Sequence, residues 1–422
     1  AAQSGPRLGA GQPNARLGAA GIAVALAGVA VNGLAYLAPL LGARYLTAAE
    51  LSTLATALAL AAIASVPGLG LQTALAVRWA RDGAVANAGR ATVVTAATVA
   101  GILLAAIPLW SAALRLPVEL PLIIAATTVA VVGASRWLGE LQGGQQFGRL
   151  ALGMVLLALA RYGGVIAGLV AGAGVTASLL LGTVVAWACL PVLAGLSRGR
   201  AGRPHPPEAS ERAGARLTRA EIGAASGATL AMLVVSYADL ILARNLLTLA
   251  ESGAYAVGAV LTRGALWAPQ VVTVLARPRL AKGSRGALVV SLALVAACGT
   301  VLVVASWFGG GLAMSLAGGP GYTHLGRFAA GFAAIGALYA LVFVLVNAEI
   351  AANVRWPGAL LWLGPICLLI GAALVRPDRL DGLLALSLAV TSAVALAMGA
   401  RALVRHRRSV RRAEGPASGE PA

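Results

Sequence analysis

Long runs of apolar residues that no charge interrupts constrain this chain more than any other feature. Leu17 to Leu41 is one such run, Ala287 to Phe308 is another, and Ala151 to Ala160 with its flanks is a third. About 20 apolar residues in a helix cross the hydrocarbon of a bilayer. A backbone inside lipid must satisfy its own hydrogen bonds, so such runs read as membrane helices. A β-barrel would instead alternate apolar and polar residues along each strand. Only 11% of the 422 residues are charged and 59% are hydrophobic, whereas a water-soluble domain carries about 25% charged residues. The sequence therefore predicts an all-α integral membrane protein.

The runs place helices at about 17–41, 50–77, 89–114, 118–137, 149–171 and 174–196, then 220–245, 252–276, 286–308, 326–348, 356–375 and 380–404. That is twelve spans. The organisation expected is a segment 1–16, a six-helix lobe 17–196, a Pro- and Arg-rich linker 197–219, a second six-helix lobe 220–404, and a basic tail 405–422. The first apolar run is too long for a signal-peptide core and lacks a cleavage site, so it reads as a span.

The basic residues check this count. The net charge is +18, which raises the idea of nucleic acid. Yet the arginines sit at helix ends and in short loops rather than in one soluble patch, so no nucleic-acid partner is expected. With the N-terminus inside, twenty-four basic residues fall on the inner side; among them are Arg78, Arg81, Arg90, Arg136, Arg149, six in 198–219 and six in 401–412. Only Arg44, Arg115, Arg244, Arg327, Arg376 and Arg379 fall outside. The bias alternates loop by loop and predicts a multi-pass protein of the cytoplasmic membrane, with both termini and the linker cytoplasmic.

The two halves echo each other. Ala43-Arg44 is followed by Thr47, Glu50, Pro67 and Arg78; Ala243-Arg244 is followed by Thr248, Glu251, Pro269 and Arg277. Both halves start on the same side, so the repeat is parallel. It predicts two lobes related by a pseudo-two-fold along the membrane normal, an arrangement common in secondary transporters. Cys189, Cys298 and Cys367, like His205, His324 and His406, stand apart from one another, so neither a metal site nor a cofactor is expected. Gly68-Leu-Gly70 is only a fragment of a nucleotide fingerprint and lacks its strand.

The chain also resembles the polysaccharide-transporter branch of the multidrug/oligosaccharidyl-lipid/polysaccharide (MOP) flippase superfamily. The stretches that carry the likeness are Tyr237-Ala-Asp239-Leu-Ile-Leu-Ala-Arg244, Glu251-Ser-Gly253-Ala-Tyr255 and Arg277-Pro278-Arg279. Ala43-Arg44-Tyr-Leu-Thr with Glu50, and Gly139-Glu-Leu-Gln142-Gly143 with Phe147, add to it. The resemblance implies two six-helix lobes around a cavity that opens to alternate sides. It also implies export of a lipid-linked glycan, on a polyprenyl diphosphate carrier, for cell-surface polysaccharide assembly, with membrane lipids and polysaccharide assembly proteins as partners.

Ionisable residues within spans are costly and therefore informative. Arg161, Asp239 and Arg263 are the three here. Guanidinium groups grip phosphate oxygens as a fork and stay charged when desolvated, so Arg161 and Arg263 are candidates for an anionic headgroup. Pairing with Asp239, or snorkelling to an interface, is the competing use. Asp239 is expected either to neutralise a nearby Arg, with Arg244 one turn on, or to carry a coupling proton. Asn32, Gln72 and Gln270 could touch sugar hydroxyls, although interhelical hydrogen bonds are the commoner use. Pro67 and Pro269 are expected to kink equivalent helices. Gly163, Gly164, Gly168 and Gly172 read as sites of close helix packing.

The function predicted is a flippase for a lipid-linked oligosaccharide or polysaccharide precursor, not an enzyme. A cation-coupled small-molecule antiporter would want several buried carboxylates, and only Asp239 lies clearly within a span. A membrane enzyme of polysaccharide assembly would want an acidic cluster or a large outer loop, and neither is visible.

Overall fold

The computed structural model describes residues 12–198, 216–281, 285–352, 354 and 356–413. Side chains are described within these except at 12–20, 267–281, 285–287, 351 and 406–413. Most of the 197–219 linker and both chain ends lie outside the described residues.

Every expected span is a helix, and no strand occurs among the described residues. In the first half these are α1 (Gln12–Tyr45), α2 (Ala48–Ala64) with α3 (Val66–Asp82), α4 (Ala88–Ala105) with α5 (Ile107–Leu114), α6 (Glu119–Gly143), α7 (Phe147–Ala158) with α8 (Gly164–Val170), and α9 (Gly174–Arg198). In the second half they are α10 (Arg219–Leu246), α11 (Leu249–Ala281), α12 (Arg285–Phe308), α14 (Ala329–Ala351), α15 (Leu363–Val375) and α16 (Leu380–Ala413). A short α13 (Gly310–Gly318) and a 3-10 stretch, Pro320–Phe328, fill a region where the sequence suggested only a loop. Among the described residues ten helices are long and apolar enough to cross a bilayer. The other two expected spans are α11 and the shorter Ala359–Val375.

Prolines decide where the spans break. Pro67 has no N–H to give Ile63 and its ring crowds that carbonyl, so the second span divides at Ser65. Pro108, the second residue of α5, divides the third span at Ala106 in the same way. Helix starts repeat a single device. Thr47 N–H and hydroxyl donate to Glu50 Oε2 at 2.9 and 2.8 Å, while Glu50 N–H returns a bond to Thr47 Oγ1. Thr218 and Glu221 make the same box at the start of α10, and Thr248 and Glu251 make two of its three bonds at the start of α11, the hydroxyl to Glu251 Oε2 and the Glu251 N–H to Thr248 Oγ1. These boxes satisfy helix N–H groups that no earlier turn can reach.

The chain divides into two compact units. One is drawn from Ala1–Ala38, Ala64–Ala106 and Pro121–Ser226, the other from Pro39–Ile63, Ile107–Leu120 and Gly227–Ala422. The chain passes between them five times. Four of the passages fall at or within three residues of Pro39, Pro67, Pro108 and Pro121.

Within the first unit α8 lies close against α9. A Cβ on Gly164 would stand 2.6 Å from the Gly182 Cα, and one on Gly168 would stand 2.6 Å from the Ser178 Cα. Gly163 and Gly172 face open space, so only two of the four expected glycines do this packing. Within the second unit α14 packs on α11, α12 and α16. Tyr255 and Phe332 meet edge to face there, with centroids 5.1 Å apart. The repeat shows in this unit too. The helix starts that follow Thr47 and Thr248 lie side by side: Ser52 and Ser252 share a buried hydroxyl hydrogen bond of 2.5 Å, and Gly253 abuts Ala48.

Candidate functional site

Two groups of polar side chains lie buried in apolar helices, one in each unit. The first centres on Arg161. The span from Phe147 to Val170 is α-helical except at Leu159–Gly163, which forms one π-helical turn. A π-bulge widens a helix locally and re-aims its side chains. Here it sets the Arg161 carbonyl against Gly182 of α9, an approach only glycine allows. Arg161 is 8% exposed, and its Nη2 is buried with no hydrogen-bond acceptor among the described residues. The Tyr162 ring, 4.9 Å from its guanidinium carbon, is the contact it does make. A desolvated guanidinium with an unused donor is expensive. It is suited to an anionic oxygen brought from outside.

The second group surrounds Asp239 on α10, which is 3% exposed. Its Oδ2 accepts the Tyr255 hydroxyl at 2.9 Å, and its Oδ1 accepts the Leu240 N–H at 2.8 Å. The Tyr255 hydroxyl also reaches Ser387 on α16 at 3.3 Å. Tyr339 adds a second hydroxyl, donated to the Val235 carbonyl at 3.0 Å, and it meets Thr391 on α16. Arg263 lies within electrostatic range of Asp239 and stacks 4.2 Å above the Tyr237 ring. It does not form an ion pair: among the described residues Asp239 has no cation within 4 Å.

The expected pairing of Asp239 with Arg244 is therefore not made. Arg244, 3% exposed, turns instead to the carboxyl end of α5. Its Nε donates to Leu114 O at 2.9 Å, Nη2 to Arg115 O at 3.2 Å and Nη1 to Ala49 O at 3.3 Å. Asn245 donates to Ala113 O at 2.6 Å. The last carbonyls of a helix have no partner in their own helix and carry its negative dipole end, so an arginine there is both a cap and a counter-charge. Arg115 has φ 50°, which turns the chain out of α5 towards these donors.

The uncharged candidates divide. Gln72 Nε2 donates to Gln142 Oε1 at 3.0 Å, so it ties α3 to α6 rather than waiting for sugar. Asn32 is exposed on α1 and bonds no described residue. Pro269 and Gln270 lie in α11, outside the described side chains.

Sequence reasoning missed three members of these networks: Tyr339, Ser387 and Thr391. Ser387 and Thr391 stand four apart in the apolar first half of α16, so the spacing alone could have marked one polar face. It also missed Glu349, a second buried carboxylate within a span, which corrects the expectation that Asp239 stands alone. Glu349 is 7% exposed. Its Oε1 lies 3.5 Å from Arg401 Nε and 3.2 Å from Arg405 Nη1, and its Oε2 accepts the Gly358 N–H at 2.9 Å.

No protein-family model matches this chain, and no curated protein matches it. Solved structures do. An inward-facing multidrug resistance MATE family transporter of the MOP superfamily superposes with a TM-score of 0.61 at 15% identity, over 91% of this chain and 96% of that one. The eukaryotic MATE transporter AtDTX14 gives 0.60 at 15% identity, over 92% and 96%. The chain has the MATE fold. A third MATE structure, in complex with MaD5, gives 0.56 at 14% identity over 94% and 98%. The MATE fold has two lobes, and the Arg161 and Asp239 groups are both set on its apolar helices. At these identities the fold is what the likeness conveys.

Proposed function

We propose that the protein is an alternating-access transporter for an anionic amphiphile, a lipid-linked oligosaccharide or polysaccharide precursor on a polyprenyl diphosphate carrier. The observation that carries this reading is an asymmetry of satisfaction. Both buried carboxylates in the described spans already hold partners, Asp239 through Tyr255 and Leu240, and Glu349 through Arg401, Arg405 and Gly358. The Arg161 guanidinium does not have its full set. An anion completes such a site, whereas a cation would compete with it. The polysaccharide-branch motifs around Asp239 and Tyr255 point to the same cargo, and no residue in the proposed cycle is catalytic. The arginine asymmetry supports a cytoplasmic membrane location with both termini inside.

A direct test reconstitutes the purified protein in liposomes holding a fluorescent lipid-linked glycan in one leaflet. Appearance of the label in the opposite leaflet, lost in Arg161→Ala, supports the reading. Export of a cationic dye with no glycan movement would instead favour a multidrug-type antiporter. Topology is tested separately. A cysteine replacing Ala84, in a protein lacking its native cysteines, should be labelled by an impermeant reagent only after the cells are opened.

A further inference from the structure

A cluster of three arginines lies at one end of the first unit, apart from the Arg161 group. The chain entering α10 folds back against the start of α4. Asn87 holds it there: Asn87 Nδ2 donates to Leu217 O at 3.0 Å, and Leu217 N–H donates to Asn87 Oδ1 at 2.8 Å. Arg78 fastens the next turn through Glu221, with Nη2 to Oε1 at 2.6 Å. Between these segments is a cavity of about 330 Å³. Its wall carries Arg90 from α4, and Arg216 and Arg219 from the start of α10. Among the described residues none of the three makes a side-chain ion pair or hydrogen bond. Among the described residues no carboxylate lines the cavity. Of the carboxylates nearby along these helices, Glu221 is held by Arg78 and Thr218 and Glu140 by Arg136, while Asp82 lies 3.7 Å from Arg78 with its Oδ2 accepting no hydrogen bond from the described residues.

Three guanidinium groups around one space, with no described carboxylate in its wall, form a receptor for phosphate oxygens. Apart from Asn87 and Thr95 the rest of the wall is apolar. It includes Val94 and Ala91 of α4, and further along that helix Ile102 is 62% exposed. A polar mouth that continues into an apolar helix face at the end of a membrane span fits a phospholipid, head in the cavity and chains along α4. We propose that this pocket binds the phosphate headgroup of an anionic membrane phospholipid. Arg90, Arg216 and Arg219 hold the headgroup, and it pins the incoming end of α10 to α4. The site is independent of the transported cargo.

The test uses the full chain, delipidated in neutral detergent, and counts bound lipid by native mass spectrometry. The expected result is that the protein keeps phosphatidylglycerol at least about tenfold better than phosphatidylcholine, a difference of about 1.4 kcal/mol. Arg90→Gln/Arg216→Gln/Arg219→Gln should abolish that preference. Arg327→Gln/Arg376→Gln/Arg379→Gln, which removes equal charge elsewhere, should keep it. If the first triple variant yields no folded protein, Arg216→Gln alone, at an exposed position, should weaken retention at least about threefold. Unchanged retention in these pocket variants would overturn the proposal, as would equal loss in the charge-matched control. Displacement of the lipid by inorganic phosphate at equal concentration would also overturn it, by showing a site for free phosphate.

Discussion

Arg161 and Arg244 are both buried arginines in apolar helices, 8% and 3% exposed, and they solve the cost of burial in opposite ways. Arg244 directs its donors to three backbone carbonyls, two of them at the end of α5. Arg161 sits on a π-helical turn with its Nη2 donating to no described atom. Burial therefore does not separate a working charge from a structural one. Completeness of the hydrogen-bond set does, because a satisfied guanidinium has nothing left to offer a ligand.

The largest effect should come from Arg244→Ala. It removes the donors to Leu114, Arg115 and Ala49 together and leaves those carbonyls without them. Hydrogen bonds to charged groups contribute about 1.5–3 kcal/mol each, so a loss of about 3 kcal/mol or more is expected. Thermal unfolding in detergent should show a clearly lower midpoint and little folded monomer. A variant as stable as the parent would break the comparison, since Arg244 would then hold nothing in place.

Arg161→Ala should do the reverse. Its unfolding midpoint should stay near that of the parent protein, because few bonds are lost and an unsatisfied donor is removed. Glycan movement in liposomes should fall at least about tenfold, equivalent to about 1.4 kcal/mol. Full transport by Arg161→Ala would remove the basis for an anionic cargo.

Glu349→Gln extends the comparison to a carboxylate. Arg401 and Arg405, 31% and 35% exposed at their side chains, would lose their counter-charge but keep access to solvent. The expected cost is about 1 kcal/mol, read from the unfolding midpoint. A much larger drop would mean that the Gly358 N–H bond to Glu349 Oε2, rather than the ion pair, secures the loop after α14.

The smallest effect should come from Ser52→Ala. It removes the buried hydroxyl bond to Ser252, worth about 1 kcal/mol, and leaves one oxygen to find another partner. Ser52→Ala/Ser252→Ala should recover part of that loss, because neither oxygen then remains unpaired. A double variant whose loss equals the sum of the two single losses would show that the two hydroxyls work separately.

Much of the site was legible as a list of residues and little of it as a set of contacts. Arg161, Asp239 and Arg263 stand out because charge in an apolar run is rare whatever the fold. Gln72 was legible as a polar residue in a span, but its partner Gln142 lies 70 residues away. Tyr339, Ser387 and Thr391 stayed hidden because hydroxyls are cheap enough to occur in spans without a function. Only the packing of α14 and α16 brings them to Asp239.

The sequence by itself determined the helices, the proline breaks at Ser65 and Ala106, and the Thr-x-x-Glu helix starts. Each of those depends on residues within a few turns of one another: an apolar run of membrane length, a missing N–H, a hydroxyl three residues before a carboxylate. Only the tertiary structure decided what the buried charges do. Asp239 and Arg244 are five residues apart, and local reasoning pairs them. Arg244 instead caps a helix 130 residues earlier in the chain, and Asp239 takes its hydrogen bond from Tyr255. Unsatisfied carbonyls at the end of α5 compete for the same guanidinium, and which helix end lies within reach is a property of the packing.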